Sequence, residues 1–385
     1  MSTTNDVAAE RRALIDAARE WGYFSAGVAA KAPMFHGRRI LDVGMGAGPH
    51  AVAYVESGAA SYVGVDPHVG SDKVRDFRSW SDPSIPDYHS FPFSVKDIER
   101  LYPNVRLHSG LLEDVAHKAK EHRPNLAMLN AVTEHLRRPD LVFKAIWELL
   151  DRDGVVWADH HNYYSWTGHH QLPRNVASWR RDNPAENAVV DWKHLEPAHP
   201  SYNDPNFNRV RLEDLRLIVA KYFEIEGWRC SYEAVSRMTP EIRTKWRKYS
   251  LAELLTQTVV IVGRRRDVPL DIDFKDRQFH HPDESYQSDR DYLNEDMTPF
   301  DLDNRVFFSN TGEVGSHSTN NFAGLRVFDR LKAGDTIVVT KLRERYTFTV
   351  AEVVRREGAS ASLRLAEPVP EPLRTVNYSD WTIEV

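Results

Sequence analysis

The sequence predicts an α/β fold with a doubly wound parallel sheet, followed by a small C-terminal all-β domain. Three observations support this prediction. The apolar segment Ile40–Val43 runs into a glycine-rich turn at 44–48, and a second apolar segment ends on Asp66. Apolar strands then alternate with amphipathic segments as far as residue 263. From residue 305 onward the pattern becomes short and β-like, with turn residues between the segments.

The glycine turn is a candidate cofactor site. Glycines permit positive φ and let a ligand approach the backbone closely. A carboxylate that ends the second strand, here Asp66, is well placed to accept hydrogen bonds from a ribose diol. The spacing is Gly-x-Gly-x-Gly, whereas a dinucleotide site requires Gly-x-Gly-x-x-Gly. We therefore expect a nucleoside-like cofactor at the carboxyl edge of the sheet. A tight turn without a ligand, and a helix-capping role for Asp66, are the structural alternatives.

Three motifs in order resemble those of the class I S-adenosylmethionine-dependent methyltransferases, over roughly residues 35–265. They are the glycine turn preceded by Asp42, the acid Asp66, and a strand from Leu126 that leads into Glu134-His135-Leu136. The resemblance implies a Rossmann-like seven-stranded sheet, S-adenosylmethionine as the cofactor and S-adenosylhomocysteine as the product. By the same resemblance, the cofactor-binding residues are Asp42, Gly44, Gly46, Gly48, Asp66, Glu113 and Asn130.

The remaining elements of this part follow from apolar periodicity. Later strands are predicted at 105–108, 154–158, 223–228 and 257–263. Helices are predicted within 5–30 and over 49–56, 94–101, 140–150 and 241–255. In the resembled family a helix near the N-terminus covers the cofactor cleft, so Trp21 to Phe24 either belong to such a lid or pack on the sheet.

The acceptor chemistry is expected just after the fifth strand, because open α/β sheets bind ligands outside the carboxyl ends of their strands. Residues 159–171 contain four histidines, two tyrosines and a tryptophan, and an insertion at about 159–212 is predicted to cap the acceptor pocket. Histidine is neutral enough near pH 7 to act as a general base. The candidates for that base are His160, His161, His169 and His170, with Asp159 orienting an imidazole or binding the acceptor. The candidate acceptor contacts are Glu134, Tyr163, Tyr164 and Trp166.

The expected reaction is methyl transfer to a hydroxyl of a small molecule, most simply a sugar or glycan precursor. The turn Asn130–Thr133 differs from the proline-rich turn of methyltransferases that modify base amines. A phenolic natural product, N-methylation of an amine or amino sugar near Asp159 or Glu134, decarboxylation or cyclisation, and a non-enzymatic cofactor-binding scaffold are the alternatives. Some sugar O-methyltransferases of this fold use magnesium, but the histidines lack a regular metal-ligand spacing, so no metal site is predicted.

Composition narrows the partners. The 385 residues carry a net charge of −6, with a pI near 6.3, which argues against a broad nucleic-acid-binding surface. No apolar run is long enough to cross a membrane, and residues 1–12 lack the apolar core of a signal peptide. A single cysteine, Cys230, excludes an intramolecular disulfide and favours the reducing cytoplasm.

The C-terminal part is predicted as a linker over 266–304 and a small β-domain over 305–385, separate from a methyltransferase domain over 1–265. Five short strands suggest a small barrel or a rolled sheet. The domain either binds polymer or carbohydrate, or serves as a dimerisation or stability module in a homo-oligomer. The predicted strands are Arg305–Ser309, Leu325–Phe328, Thr336–Lys341, Tyr346–Val354 and Ser362–Leu365. The candidate binding residues are Phe307, Phe308, His317, Asn320 and Asn321.

Overall fold

The structure is a computed structural model. It describes residues 4–82, 84–272 and 274, and in the C-terminal part 307–308, 313–315, 332–341, 344–355, 361–367 and 381–384. The helices are α1 (Thr4–Glu20), α2 (Ala26–Phe35), α3 (His50–Glu56), α4 (Val95–Leu101), α5 (Leu112–Ala119), α6 (Pro139–Leu149), α7 (Pro184–Val189), α8 (Leu212–Tyr222), α9 (Pro240–Lys245) and α10 (Leu251–Leu255). The strands before residue 266 are β1 (Arg39–Val43), β2 (Ser61–Asp66), β3 (Val74–Arg75), β4 (Tyr88–His89), β5 (Val105–Ser109), β6 (Leu126–Asn130), β7 (Val155–His161), β8 (Phe223–Tyr232) and β9 (Thr256–Arg265).

Seven of these strands form one sheet in the order β5-β2-β1-β6-β7-β9-β8. Neighbours from β5 to β7 are parallel, whereas β9 runs antiparallel to both β7 and β8. Strands β3 and β4 form a separate two-stranded hairpin after β2. The predicted Rossmann-like, doubly wound sheet is therefore confirmed.

The two faces of the sheet are buried by different helices. Because side chains alternate along a strand, Leu41 and Val43 lie in one apolar cluster with residues of α5, α6 and α8. On the other face, Ile40 and Trp157 lie in a cluster with residues of α1 to α4. Both faces of the central strands are covered, which explains why β1, β2 and β6 are largely apolar, whereas the edge strand β5 alternates.

Strand β7 differs from the sequence prediction in a way that affects the site. It continues to His161 instead of ending at residue 158, because Asp159, His160 and His161 pair with Val260, Val259 and Thr258 of β9. In an extended strand, neighbouring side chains point to opposite faces. His160 and His161 therefore lie on opposite faces of the sheet.

Two predicted helical regions are divided. Residues 5–30 form α1 and α2, and the Ser25 side chain caps α2 by accepting the Val28 N–H. The region 241–255 forms α9 and α10, and the Ser250 side chain caps α10 by accepting the Glu253 N–H at 3.1 Å. Serine at such a position stops one helix and starts the next, since its side chain replaces a missing backbone acceptor.

The C-terminal strands form a sheet of their own, all antiparallel, in the order β10-β11-β14-β13-β12-β15. They are β10 (Phe307–Phe308), β11 (Glu313–Gly315), β12 (Thr336–Lys341), β13 (Glu344–Arg355), β14 (Ala361–Leu365) and β15 (Trp381–Glu384). The sequence did not predict β11 or β15. The predicted strand 325–328, the residues His317, Asn320 and Asn321, and most of the predicted linker lie outside the described residues.

Candidate cofactor and acceptor site

The glycine turn after β1 holds three glycines at positive φ: Gly44 at +77°, Gly46 at +73° and Gly48 at +130°. A Cβ on Gly44 would lie 2.1 Å from a methyl carbon of Val132, so the segment after β6 packs directly on the turn. A Cβ on Gly46 would have no atom within 4 Å. The turn is therefore closed on one side by protein and open at Gly46, as a cofactor that approaches the backbone requires.

Asp66, at the end of β2, is buried and anchors this turn. Its Oδ2 accepts the Gly46 N–H at 2.8 Å, and its Oδ1 accepts the His68 N–H at 2.7 Å. Its Oδ1 also lies 3.0 Å from Nδ1 of the exposed His68 ring. A carboxylate offers about four acceptor sites, so Asp66 retains capacity for one ribose hydroxyl, and for a second once the His68 ring turns away. Further along, Glu113 is half-buried in the first turn of α5, and a Cβ on Gly48 would lie 3.2 Å from Leu107.

Asp42 lies below the glycine turn, fully buried, and accepts the Tyr62 hydroxyl at 2.7 Å. Burial raises the pKa of Asp42 to about 7, against the opposing effects of the Tyr62 hydrogen bond and the Lys31 charge. A carboxyl group that titrates near neutrality beside a cofactor turn is typical of functional sites.

Lys31 of α2 supplies a cation at the same edge of the sheet. Its ammonium donates to Asn130 Oδ1 and lies 4.2 Å from the centre of the Trp157 ring. The Asn130 amide in turn donates to the Tyr54 hydroxyl at 3.1 Å. Burial lowers the pKa of Lys31, and the carboxylate of Asp159 acts in the opposite direction. Sequence reasoning did not find Lys31, because it lies in a helix whose other residues are mostly small and apolar.

Three of the predicted acceptor contacts lie in the core of the insertion. Tyr163, Tyr164 and Trp166 are buried in one apolar cluster. The Tyr164 hydroxyl donates to the Arg209 carbonyl at 2.7 Å, and the Trp166 ring N–H donates to Asp191 at 3.2 Å. Their contact with an acceptor stays a prediction.

His160 and His169 are almost fully buried. His160 Nδ1 lies 2.9 Å from the Thr133 hydroxyl, and His169 Nδ1 accepts the Gln171 N–H at 3.0 Å. Burial lowers the pKa of His160 to about 3 and that of His169 to about 4. Both rings are therefore neutral at pH 7 and are held inside the protein.

His161 is half-buried and lies on the same sheet face as Asp159. Its Nε2 is 3.2 Å from Thr167 Oγ1, and the Thr167 hydroxyl donates its proton to Glu233 at 2.6 Å. Burial raises the pKa of Glu233 to about 7. In the ionised form of Glu233 the Thr167 hydroxyl donates to the carboxylate and accepts from His161, which assigns the His161 proton to Nε2. Nδ1 of His161 is then the nitrogen with a free lone pair. Burial lowers the pKa of His161 to about 4.

Glu134, His135 and His170 come together beside His161. Their ligand atoms all lie within 4.8 Å of one another, and the His170 ring is 4.1 Å from the ring of His161, measured between centres. Glu134 is buried, which raises the pKa of its carboxyl group to about 8. Burial also lowers the pKa of His170 to about 2, so that this ring is neutral.

The segments after β2 and β7 meet at an aromatic and cationic patch. Trp80 and Tyr88 are 58% and 49% exposed. The guanidinium of Arg75 lies 5.6 Å from the Trp80 ring and 5.5 Å from the Tyr88 ring, and that of Arg174 lies 5.5 Å from Trp80. On the inner side, Trp21 packs on His89 at 4.1 Å between ring centres, so the N-terminal segment lies against the β3–β4 hairpin.

A groove of about 670 Å³ lies at the opposite edge of the sheet. It is lined by residues at the amino ends of β1, β6 and β7, including Arg39, Asn125 and Asp151. Arg39 and Arg123 both pair with Asp151 there. Ligands of open α/β sheets bind at the carboxyl ends, so we do not assign the cofactor to this groove.

Comparison with known proteins gives the family. The model of a family described as "Methyltransferase domain" matches residues 16–222, more than half of the chain. The chain belongs to this methyltransferase family. It is a class I S-adenosylmethionine-dependent methyltransferase, and S-adenosylmethionine is its cofactor. The open space at Gly46 and the spare acceptor capacity of Asp66 fit that cofactor.

The chain is also similar, at low identity, to solved structures of methyltransferases. A Mesorhizobium loti S-adenosylmethionine-dependent methyltransferase is 13% identical, with a TM-score of 0.36, covering 62% of this chain and 96% of its own. An Archaeoglobus fulgidus methyltransferase, also dependent on S-adenosylmethionine, is 16% identical, with a TM-score of 0.33. The match covers 62% of this chain and 92% of that protein. At these scores neither likeness carries a conclusion about substrate. No curated protein matches the chain in sequence.

Proposed function

We propose that this methyltransferase methylates a hydroxyl group of a small molecule, a sugar or a glycan precursor, and that His161 Nδ1 accepts the hydroxyl proton. S-adenosylmethionine supplies a methyl group on a positively charged sulfur. The chain must therefore align the acceptor, exclude water and take up a proton. The observation that carries the proposal is the hydrogen-bond relay from His161 through Thr167 to Glu233, which leaves Nδ1 unprotonated.

The cofactor is proposed to lie across the glycine turn. Its ribose would bind Asp66, its adenine would lie near Glu113, and Gly44, Gly46 and Gly48 would follow its methionyl chain. Asp42 and Asn130 border the same space, and the Lys31 ammonium beside Asn130 would pair with the cofactor's carboxylate. A charge-assisted contact of this kind is roughly twice as strong as a neutral hydrogen bond.

A sugar acceptor is supported by the exposed patch of Trp80, Tyr88, Arg75 and Arg174. Aromatic side chains combine a large apolar face with little conformational freedom, and the apolar face of a sugar ring stacks on such a surface. The two arginines would bind hydroxyl or anionic groups beside it. Both segments follow strands at the carboxyl edge of the sheet, the edge where the acceptor is expected.

The test is a methyl-transfer assay with labelled S-adenosylmethionine and a panel of hydroxylated sugars, on wild type and His161→Gln. We expect the variant to lose at least tenfold in kcat, since a positioned base contributes about 10²–10⁴-fold, while its affinity for S-adenosylhomocysteine is unchanged. His117→Gln, on the exposed face of α5, is the matched control. A normal rate for His161→Gln would remove the proposed base.

N-methylation of an amine is the second candidate, and Asp159 favours it. This carboxylate is only partly buried, and no hydrogen bond reaches it within the part of the chain that the structure describes. It could bind an ammonium group. Amines in the same assay, with Asp159→Asn, distinguish the two reactions: turnover of amines and not of sugars, abolished in the variant, would replace the hydroxyl proposal.

The remaining predictions concern the chain as a whole. No helix in the described ranges is long and apolar enough to cross a membrane. We propose a cytoplasmic location from the single cysteine, Cys230, which is buried and forms no disulfide. We propose that the C-terminal sheet is a separate domain that supports a homodimer, which light scattering on the full chain would test.

A further inference from the structure

The geometry points to a metal site beside the acceptor pocket: we propose that Glu134, His135 and His170 bind one divalent transition-metal ion. Their ligand atoms already lie within 4.8 Å of one another. Metal–nitrogen and metal–oxygen bonds of about 2.0–2.2 Å place ligand atoms roughly 3–3.5 Å apart. Small side-chain movements would therefore close the site, with no change in the backbone.

The two histidines present the lone pairs that a metal needs. His135 Nδ1 lies 2.7 Å from the Asn206 carbonyl oxygen, which only accepts, so Nδ1 carries the proton and Nε2 is free to bind. Donation of the second ring N–H to a backbone carbonyl is the usual arrangement of metal-bound histidines. His170 Nε2 is buried and has no hydrogen-bond partner among the described residues, although a buried polar atom normally has one.

Glu134 supplies a buried carboxyl group that has no cationic partner among the described residues. None of the ion pairs within the described ranges includes it. Its carboxyl group accepts the backbone N–H of His161. A bound dication would displace the carboxyl proton and supply the positive charge that a buried carboxylate needs.

The turn that carries Glu134 and His135 is held in place from the insertion. The Asn208 side chain donates to the Thr133 carbonyl at 2.6 Å and to the Leu136 carbonyl at 2.8 Å. The Asn208 backbone N–H donates to the Glu134 carbonyl at 2.7 Å. The backbone N–H of His170 donates to the Thr167 carbonyl at 3.0 Å, which fixes the backbone at His170. Ligands on a braced backbone make a precise site.

The ligand set also indicates which metals fit. Two imidazoles and one carboxylate suit zinc, manganese, iron or cobalt, whereas magnesium and calcium prefer oxygen ligands alone. Three protein ligands leave positions open, and Val132 places this turn against the glycine turn. An acceptor hydroxyl bound in an open position would become a stronger acid; this role rests on the proposed function, whereas metal binding itself does not.

The first experiment titrates the full-length, chelator-treated protein with Zn²⁺ by calorimetry, and with Co²⁺ by visible absorption. We expect one ion per chain, and at least tenfold weaker binding in Glu134→Gln, His135→Gln and His170→Gln, with His117→Gln unchanged. His135 is exposed, so its variant should keep its melting temperature and isolate the loss of a ligand. Absence of one-to-one binding, or wild-type affinity in folded His135→Gln and His170→Gln, would overturn the site.

The second experiment tests the catalytic role. Methyl transfer should fall at least tenfold after chelation and return when Zn²⁺ or Mn²⁺ is added back, while S-adenosylhomocysteine still binds. Unchanged turnover in the chelated protein would overturn that role and leave the proposed methyl transfer standing. Failure to methylate any sugar with metal present would count against the proposed acceptor and leave the Zn²⁺ titration unaffected.

Discussion

Replacing Gly46 by alanine should have two effects that can be measured separately. Backbone strain at positive φ lowers the stability of the protein, and contact of the new methyl group with the cofactor lowers the affinity for the cofactor. Gly46 has φ +73°, and a Cβ there would meet no atom within 4 Å. Gly37, at the amino end of β1, has φ +70° and an equally open Cβ position. The two alanine variants should therefore pay the same backbone cost, but only the methyl group at residue 46 points into the space assigned to the cofactor.

The magnitudes follow from these geometries. An alanine held at positive φ destabilises the folded state by about 1–2 kcal/mol. The same substitution restricts the unfolded chain, which offsets about 0.4–1 kcal/mol of that loss in stability. Each variant should lose about 1 kcal/mol of stability, or about 2–4 °C in Tm. Overfilling a packed site costs about 1–3 kcal/mol, so Gly46→Ala should bind S-adenosylhomocysteine about 5- to 150-fold more weakly.

Calorimetry with S-adenosylhomocysteine and thermal unfolding, on wild type and both variants, give the two quantities separately. We expect equal losses in Tm and a loss of affinity in Gly46→Ala alone. Equal affinities in the two variants would refute the reasoning, because the cofactor would then lie away from the glycine turn.

Three further changes test other parts of the account. Trp80→Ala should raise the acceptor KM severalfold and leave cofactor affinity unchanged, since Trp80 is 58% exposed and lies in the patch assigned to the sugar; equal KM values would remove that assignment. Thr167→Val should lower kcat without changing cofactor affinity, because it removes the acceptor that keeps the His161 proton on Nε2; an unaltered kcat would contradict the relay. The Arg78 hydrogen bonds lower the pKa of buried Asp76 to about 2. The ionised carboxylate therefore stabilises the folded protein fully above the usual aspartate pKa of about 4, and this stabilisation is lost as the pH falls through about 2. In urea unfolding, the stability difference between wild type and Asp76→Asn should therefore narrow below pH 4, and a constant difference would contradict this.

The parts of the fold that the sequence predicts are those with a strong local pattern. Each central strand is a continuous apolar run, and the glycine turn and Asp66 have a fixed spacing. Such patterns involve residues close together in the chain, so they can be interpreted without knowledge of the tertiary structure. This explains why the turn, β1 and β5 were predicted to within a residue. In contrast, β7 and β8 extend three and four residues beyond their predicted ends, and α5 and α8 were not predicted.

The site beyond the glycine turn depends on contacts that no local pattern records. The end of β7 is set by pairing with β9, almost a hundred residues later, and that pairing separates His160 from His161. Glu134 and His135 meet His170 only through the fold, so their spacing shows no metal motif. Lys31 reaches Asn130 from a helix at the other end of the domain. Tyr163, Tyr164 and Trp166 are buried together in an apolar cluster, which no local pattern indicates.

The most direct test of the central claim is calorimetry of the full chain with S-adenosylmethionine, S-adenosylhomocysteine and NAD, on wild type and Asp66→Asn. We expect both sulfur compounds to bind to the wild type and NAD not to bind. In Asp66→Asn the two sulfur compounds should bind at least tenfold more weakly, since hydrogen bonds to a charged group contribute about 1.5–3 kcal/mol each. Binding of NAD, or undiminished affinity in Asp66→Asn, would contradict the claim.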